Sequence, residues 1–374
     1  VSRTGGAGQF LRKLRNRARN IRVLVAARDA ALNRRWRQAE PGILLVRHAR
    51  KAPWFYAEFL DWLALNFPEV RERFELALLD SRRNTAPAGH RLLVPWLQDP
   101  IQQWSPKAYG QACAMADSFM ARDIPVINPP AALAHGAKSH TLETARTLGI
   151  RAGRSTSLRG INDLDRAASE LGFPFIVRPD WGHGYRGIRL DSHKDIRACS
   201  TRLFDRIGKP VAIQFVDTTG TDGLFRKYRY LAAGNRGVSV HLLVSAHWEV
   251  RGDNKIVNDA AMAEELAFIT APNPHAGIFD RLRRALGLDL VAFDYGHDRD
   301  GNLVLWEANP YPYVAFGADS EALRYRTMPV HRCFAAMACL YLDRAALAIP
   351  PALAALADEP AQATTSYQAL HRPE

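Results

Sequence analysis

Residues 286–310 read LGLDLVAFDYGHDRDGNLVLWEANP, and the fold is decided there. Two short apolar runs, 289–295 and 303–307, flank a turn rich in Asp and Gly at 297–301, which is the pattern of a β-hairpin. The hairpin brings Asp294 beside Glu307, with Asn309 two residues further on and able to reach the same face. On the second strand Leu303, Leu305 and Glu307 are expected to share one face. Two carboxylates at the ends of apolar strands repel each other and are costly to desolvate unless a cation neutralises them. Three oxygen donors on neighbouring strands suit Mg²⁺ held between protein and phosphate, which points to an ATP-using enzyme.

Outward from the hairpin, the chain has 374 residues, 47% hydrophobic and 24% charged, enough for substantial cores in two or three domains. Short apolar runs at ILLVRH (43–48), FELALLD (74–80), RLLVPW (91–96) and IPVINPP (124–130) alternate with helical spacing at 53–67 and from Ser105 onward, as in a small α/β domain with a largely parallel sheet. A helix over 139–149 with a glycine stop precedes a second near 161–171 and a strand at 173–179. GIRL, VAIQFVD, GLFRKYRYLAAG and VSVHLLVSAHW read as one antiparallel sheet around a loop. Helices are expected at 260–268, 276–287 and 320–347, and the alanine-rich tail from Pro351 as loose at its end.

The formal net charge of +12 is concentrated at one end, because residues 1–50 hold thirteen Lys or Arg against Asp29 and Glu40. Dense positive charge suits phosphate or an acidic surface, but no specific nucleic-acid motif accompanies it. A solvated basic helix, docked through residues 1–40 on an acidic partner, is the plainer expectation. The four cysteines form neither a disulfide framework nor a zinc spacing, and no apolar run is long enough to cross a bilayer, so a cytoplasmic protein is expected.

Two further stretches carry chemistry. In FIVRPDWGHGYRGIRL (175–190), Gly182, Gly184 and Gly187 follow a strand ending in Arg178. Glycines let backbone N–H groups close over phosphate, and Arg178 adds a planar cationic fork. The Walker signature is absent, and an ordinary glycine-rich hairpin loop is the alternative. His183 and Tyr185 sit in this loop, and Trp181 is expected to anchor it by packing. In DGLFRKYRY (222–230), residues two apart share a face, so Lys227 and Arg229 point one way while Arg226, Tyr228 and Tyr230 point the other. Two cations on one face would offset charge developing on a transferred phosphoryl group; a charged edge strand is the alternative. His241 and Trp248, on and beyond the next strand, face the same cleft or the core.

With these residues in place the chain resembles the ATP-grasp superfamily, in its carboxylate-amine ligase branch with a glutathione synthetase-like ATP-binding domain. The resemblance covers about residues 125–312: NPPAALAHGAKSHT, FPFIVRP with the glycine loop, IQFVD, RKYR, and the run carrying Asp294, Glu307 and Asn309. It implies mixed α/β and α+β architecture: an ATP-grasp fold over 131–320, with a lid at roughly 150–213, after a pre-grasp α/β domain over 41–130. A basic segment, 1–40, would precede these and a helical region, 321–374, would follow. It implies ATP with two Mg²⁺ ions, Mn²⁺ being an alternative, held by Asp294, Glu307 and Asn309. Lys138 and Arg178 would contact phosphate, although Arg178 stands where relatives carry lysine. Gln214, Phe215 and Val216 would meet adenine. The usual ribose-contacting glutamate is missing, leaving Asp217 or Asp222. Arg178, Lys227 and Arg229 would act on the reacting groups. The implied activity is amide formation through an acyl phosphate from carboxylate and amine substrates, small molecules or peptides, in a homodimer. Alternatives are phosphorylation of a hydroxyl, thioester formation, or an accessory role resting on the basic N-terminus.

Overall fold

A computed structural model describes residues 42–48, 54–79, 89–98, 100–182, 186–199, 208–316, 321–358 and 370–371, with positions 14, 17, 18 and 21. Apart from those four positions the basic segment 1–40 lies outside the described residues, as do His183, Gly184 and Tyr185.

The first unit contains β1 (Ile43–His48), α1 (Trp54–Asn66), β2 (Phe74–Leu79), β3 (Leu92–Pro95) and α2 (Pro106–Met120). The three strands are parallel in the order β2-β1-β3. Central β1 is buried along its whole length, which is why Ile43–Val46 is an unbroken apolar run rather than an alternation. The strand expected in IPVINPP reduces to one bridge, Leu93 to Val126. Pro125, Pro129 and Pro130 have no N–H to donate, and Asn128 takes φ +47°, so pairing cannot extend.

The chain continues through α3 (Lys138–Thr147), β4 (Arg151–Ala152), β5 (Ser155–Ser157), α4 (Leu164–Leu171), β6 (Phe175–Pro179), β7 (Ile188–Leu190), α5 (His193–Ala198) and β8 (Pro210–Gln214). It then forms β9 (Phe225–Ala233), β10 (Arg236–Ser245), α6 (Asp259–Thr270), α7 (Ala276–Ala285), β11 (Leu290–His297), β12 (Leu303–Asn309), α8 (Thr327–Arg344) and α9 (Pro351–Asp358). The segments expected to make one antiparallel sheet divide between two. One has the order β5-β8-β6-β7 and the other β10-β9-β11-β12-β4. Residues 215–224, which are not strand, carry the chain from the first to the second.

Helix α8 is buried continuously from Pro329 to Leu342. A helix without a polar face belongs inside a protein, and α8 forms one core with α1, β1, β3 and one face of the five-stranded sheet, including Leu231, Ala233, Leu290 and Ala292. The sheet's other face sets Tyr230, Val291 and Phe293 against Phe279 and Leu282 of α7. The tail begins with PALAALAD as helix α9, with Leu353, Leu356 and Ala357 buried; apart from residues 370–371, the rest of the tail, expected to be loose at its end, lies outside the described residues.

Asn128 fastens the first unit to the hairpin. Its Nδ2 donates to Leu290 O at 2.6 Å and Pro310 O at 3.2 Å, while its Oδ1 accepts from Asp289 N at 2.8 Å and Leu290 N at 3.2 Å. One buried amide thus ties the start of β11 to the end of β12. Asn128→Ala would strip partners from several buried backbone groups and should lower the unfolding free energy in urea by at least about 2 kcal/mol. A change below about 0.5 kcal/mol, the size typical of a surface substitution, would show that the tie is dispensable.

Candidate active site

Along β9 the side chains of Lys227, Arg229, Leu231 and Ala233 lie on one face, and along β11 so do Leu290, Ala292 and Asp294. Near the end of each strand this face stops packing on α8 and becomes charged. The registers His241↔Arg229, Arg229↔Asp294 and Asp294↔Glu307 put four chemistry-bearing residues in one transverse row over four adjacent strands.

The row depends on a bulge. Pairing shifts between Asp294↔Glu307 and Tyr295↔Leu305, leaving Trp306 unpaired. Leu303 and Leu305 therefore join the core behind the sheet, and Glu307 turns to the Asp294 side, contrary to the single face expected for all three. Gly296 makes room for this: a Cβ there would lie 2.6 Å from the Trp306 ring.

Arg229 grips Asp294 with two hydrogen bonds, Nε to Oδ1 at 2.7 Å and Nη2 to Oδ2 at 2.8 Å, and Lys227 Nζ lies 3.7 Å from Oδ2. Arg178, from β6 on the facing sheet, reaches Glu307 Oε2 at 3.4 Å. The two acids are thus neutralised by protein cations, so their proximity by itself does not demand a metal as the sequence reading supposed. Asn309 faces the same cavity, and its Oδ1 accepts from Tyr311 N at 2.9 Å, which leaves a second lone pair. An ionised carboxylate pair with an amide oxygen is a hard donor set that fits Mg²⁺, provided the guanidiniums exchange the acids for phosphate.

These groups line a cavity of about 360 Å³ between the two sheets. Arg178, Gln214, Phe215, Val216, Lys227, Arg229, Asp294, Glu307 and Asn309 all line it, beside an apolar wall that includes Leu142, Ile176, Ile213 and Val304. Lys138 does not. It is buried at the start of α3, and its ammonium donates to Gly182 O at 2.8 Å. Gly182 does not line it, Gly187 touches it only through Glu249 and Trp248, and the site expected at Gly184 lies outside the described residues. Trp181 stacks under Lys209, 4.5 Å from its ring centre.

Neither aspartate considered for ribose lines the cavity. Asp217 accepts from the backbone and hydroxyl of Thr219, and Asp222 is paired with Arg226 on the opposite face of β9. The third cavity carboxylate is Glu249, joined by Arg251 and Trp248 in the loop after β10. The sequence reading passed over both charged residues. Their signal was a charged, glycine-containing stretch, HWEVRGDN, directly after a strand. His241 lies outside the lining beyond Arg229. Burial first, then Arg229 and Lys227, push its pKa well below the ordinary histidine value, so it is neutral.

No family model and no curated protein matches this chain. Among solved structures it is similar to the ATP-grasp ligase PsnB complexed with a phosphomimetic variant of minimal precursor, Mg and ADP, with a TM-score of 0.50 and 14% identity over 81% of this chain and 99% of that one. It is also similar to the VanG D-Ala:D-Ser ligase from Enterococcus faecalis, with a TM-score of 0.50 and 11% identity over 82% of this chain and 100% of that one. At such identities the likeness is one of fold. The chain has the ATP-grasp fold, preceded by an α/β unit, and among the described residues no helix is long and apolar enough to cross a membrane.

Burial alone would raise the Asp294 pKa, but the charges of Arg229 and Lys227 and the hydrogen bonds from Arg229 outweigh it and hold the carboxyl at about 2. An aspartate near 3.9 when unfolded therefore adds about 2 kcal/mol of stability above that value, lost as pH falls through about 2. Urea unfolding of wild type should lose this contribution between about pH 5 and pH 2, and Asp294→Asn should not. Parallel pH dependence in the two proteins would contradict the pairing.

Proposed function

We propose that this chain is an ATP-dependent carboxylate-amine ligase working through an acyl phosphate. The observation that carries the reading is the transverse row: two acids, each held by a cation that is itself suited to phosphate, in a cavity that also contains the 214–216 crossover between the sheets. Both similar solved proteins are ligases by name, which supports the class.

ATP would be held between the sheets, the apolar wall and the 214–216 backbone taking its base and Arg178, Lys227 and Arg229 its terminal phosphates. Asp294, Glu307 and Asn309 would hold magnesium, two ions in the fullest form of the reading, which would offset negative charge on the phosphate oxygens. A substrate carboxylate oxygen attacks the γ-phosphorus, the bond to the β,γ-bridging oxygen breaks, and ADP leaves. The amine then attacks the acyl carbon, phosphate departs with the former carboxylate oxygen, and the nitrogen loses a proton. Arg178 and Lys227 offset charge on the phosphoryl group as it transfers, and Arg229, released from Asp294, stabilises the acyl phosphate and the tetrahedral oxyanion. Lys138 acts at one remove, holding the Gly182 carbonyl and so the base of the glycine loop. Substrates with a free carboxylate, small acids or peptides, suit this cluster of cations.

Incubation with ATP, Mg²⁺ and pools of acids and amines should yield ADP and phosphate; AMP and pyrophosphate would reject the acyl phosphate route. Glu307→Gln should lower turnover at least about 100-fold with an unchanged circular dichroism spectrum. Full activity in that variant, or in excess EDTA, would remove the metal role.

A further inference from the structure

Two loops from facing sheets meet beside the cavity. Gly187, just ahead of β7, donates its N–H to Glu249 Oε1 at 2.8 Å, and Glu249 belongs to the loop that follows β10 on the other sheet. Next to it Arg186 pairs with Asp253 at 2.7 Å. Gly187 must be glycine for the loops to come this close, because a Cβ would lie 2.8 Å from Ile176 and 3.2 Å from the Trp248 ring. The Glu249 loop is braced from within. Asn254 accepts from Arg251 N at 2.8 Å and donates to Glu249 O at 2.8 Å, and Arg251 lies 3.6 Å from the Glu249 carboxylate.

Inside the cavity an ionic tie between the sheets runs from Arg178 to Glu307. Both of its members are assigned above to phosphate and metal, so that tie must yield when nucleotide arrives. The Glu249 contact uses a backbone N–H and can persist. Its carboxylate is 15% exposed, whereas Arg186 and Asp253 are 69% and 58% exposed, so water screens the second pair far more than the first.

We infer that Glu249 is a positioning residue that clasps the two sheets through the Gly187 N–H and so governs how fast bound nucleotide leaves. The inference rests on the nucleotide-site reading above and adds to it a residue with no assigned role. It touches no reacting atom. Its carboxylate fixes the distance between a wall of the cavity and the root of the glycine loop, and a wider cleft would release nucleotide sooner.

Stopped-flow tryptophan fluorescence of Mg²⁺-ADP release tests this on the full chain, with Glu249→Ala, Glu249→Gln and Asp253→Asn compared with wild type. Loss of a charge-assisted acceptor should speed release about 10- to 100-fold in Glu249→Ala. Glutamine keeps an oxygen in place and should restore release to within about 5-fold of wild type. Asp253→Asn should change it by less than about 3-fold. The melting temperatures of the nucleotide-free proteins should coincide within a few degrees. Release from Glu249→Ala at the wild-type rate, with wild type binding ADP, would overturn the clasp alone. Equal acceleration in the alanine and glutamine variants would also overturn it, since a carboxylate gripping the nucleotide by charge gives that result. A wild type that fails to bind Mg²⁺-ADP would sink the nucleotide reading beneath it.

Discussion

Asp294 and Arg229 hold each other where a sheet face turns from apolar to charged, and the site is arranged around that pair. A carboxylate so deeply placed is strongly disfavoured unless something neutralises it, and the bidentate guanidinium does so with two hydrogen bonds under 3 Å. The charges of the pair are matched internally, and under the proposed function each member would exchange its partner for a part of a metal nucleotide, the guanidinium for phosphate oxygens and the carboxylate for a divalent cation. The same logic applies across the cleft, where Arg178 covers Glu307 at 3.4 Å from the opposite sheet. Binding would then exchange partners within a fixed set of charges instead of creating new buried ones.

The fold supplies this geometry in three ways. Helix α8 covers the inner face of β9 and β11 only as far as Leu231 and Ala292, so the next residue of the same parity on each strand meets the cleft. The bulge at Trp306 reverses the parity of β12 and turns Glu307 from the core to the cleft. Asn128 then locks both ends of the hairpin to the first unit through four hydrogen bonds. Rigid support of this kind keeps the side chains placed without a ligand.

The hairpin, the parity of β9 and the meeting of Asp294, Glu307 and Asn309 were legible because each depends on local spacing: apolar alternation, an Asp- and Gly-rich turn, and residues two apart on a strand. What escaped depends on pairing between distant segments. Leu305 and Glu307 differ in sequence by two, the interval of a shared face, and the bulge that separates them shows only in the shifted pairing with β11. The two sheets looked like one because strand propensity does not say which strand pairs with which. Asp217 and Asp222 sat near the expected ribose position in sequence, but local bonds to Thr219 and Arg226 turn them away. The charged stretch around Glu249 was in view, but its partner was not, because that partner is a backbone N–H 62 residues away. Lys138 was expected at phosphate from its place in the chain, whereas burial aims it at a carbonyl.

The claim beneath all of this is that the row of paired charges opens to receive a metal nucleotide. Calorimetric titration of the full chain with a non-hydrolysable ATP analogue, in Mg²⁺ and again in excess EDTA, tests it directly. The expected result is saturable binding in magnesium, weakened at least about 10-fold when the metal is removed. Absence of saturation in magnesium, or equal affinity with and without it, would contradict the claim.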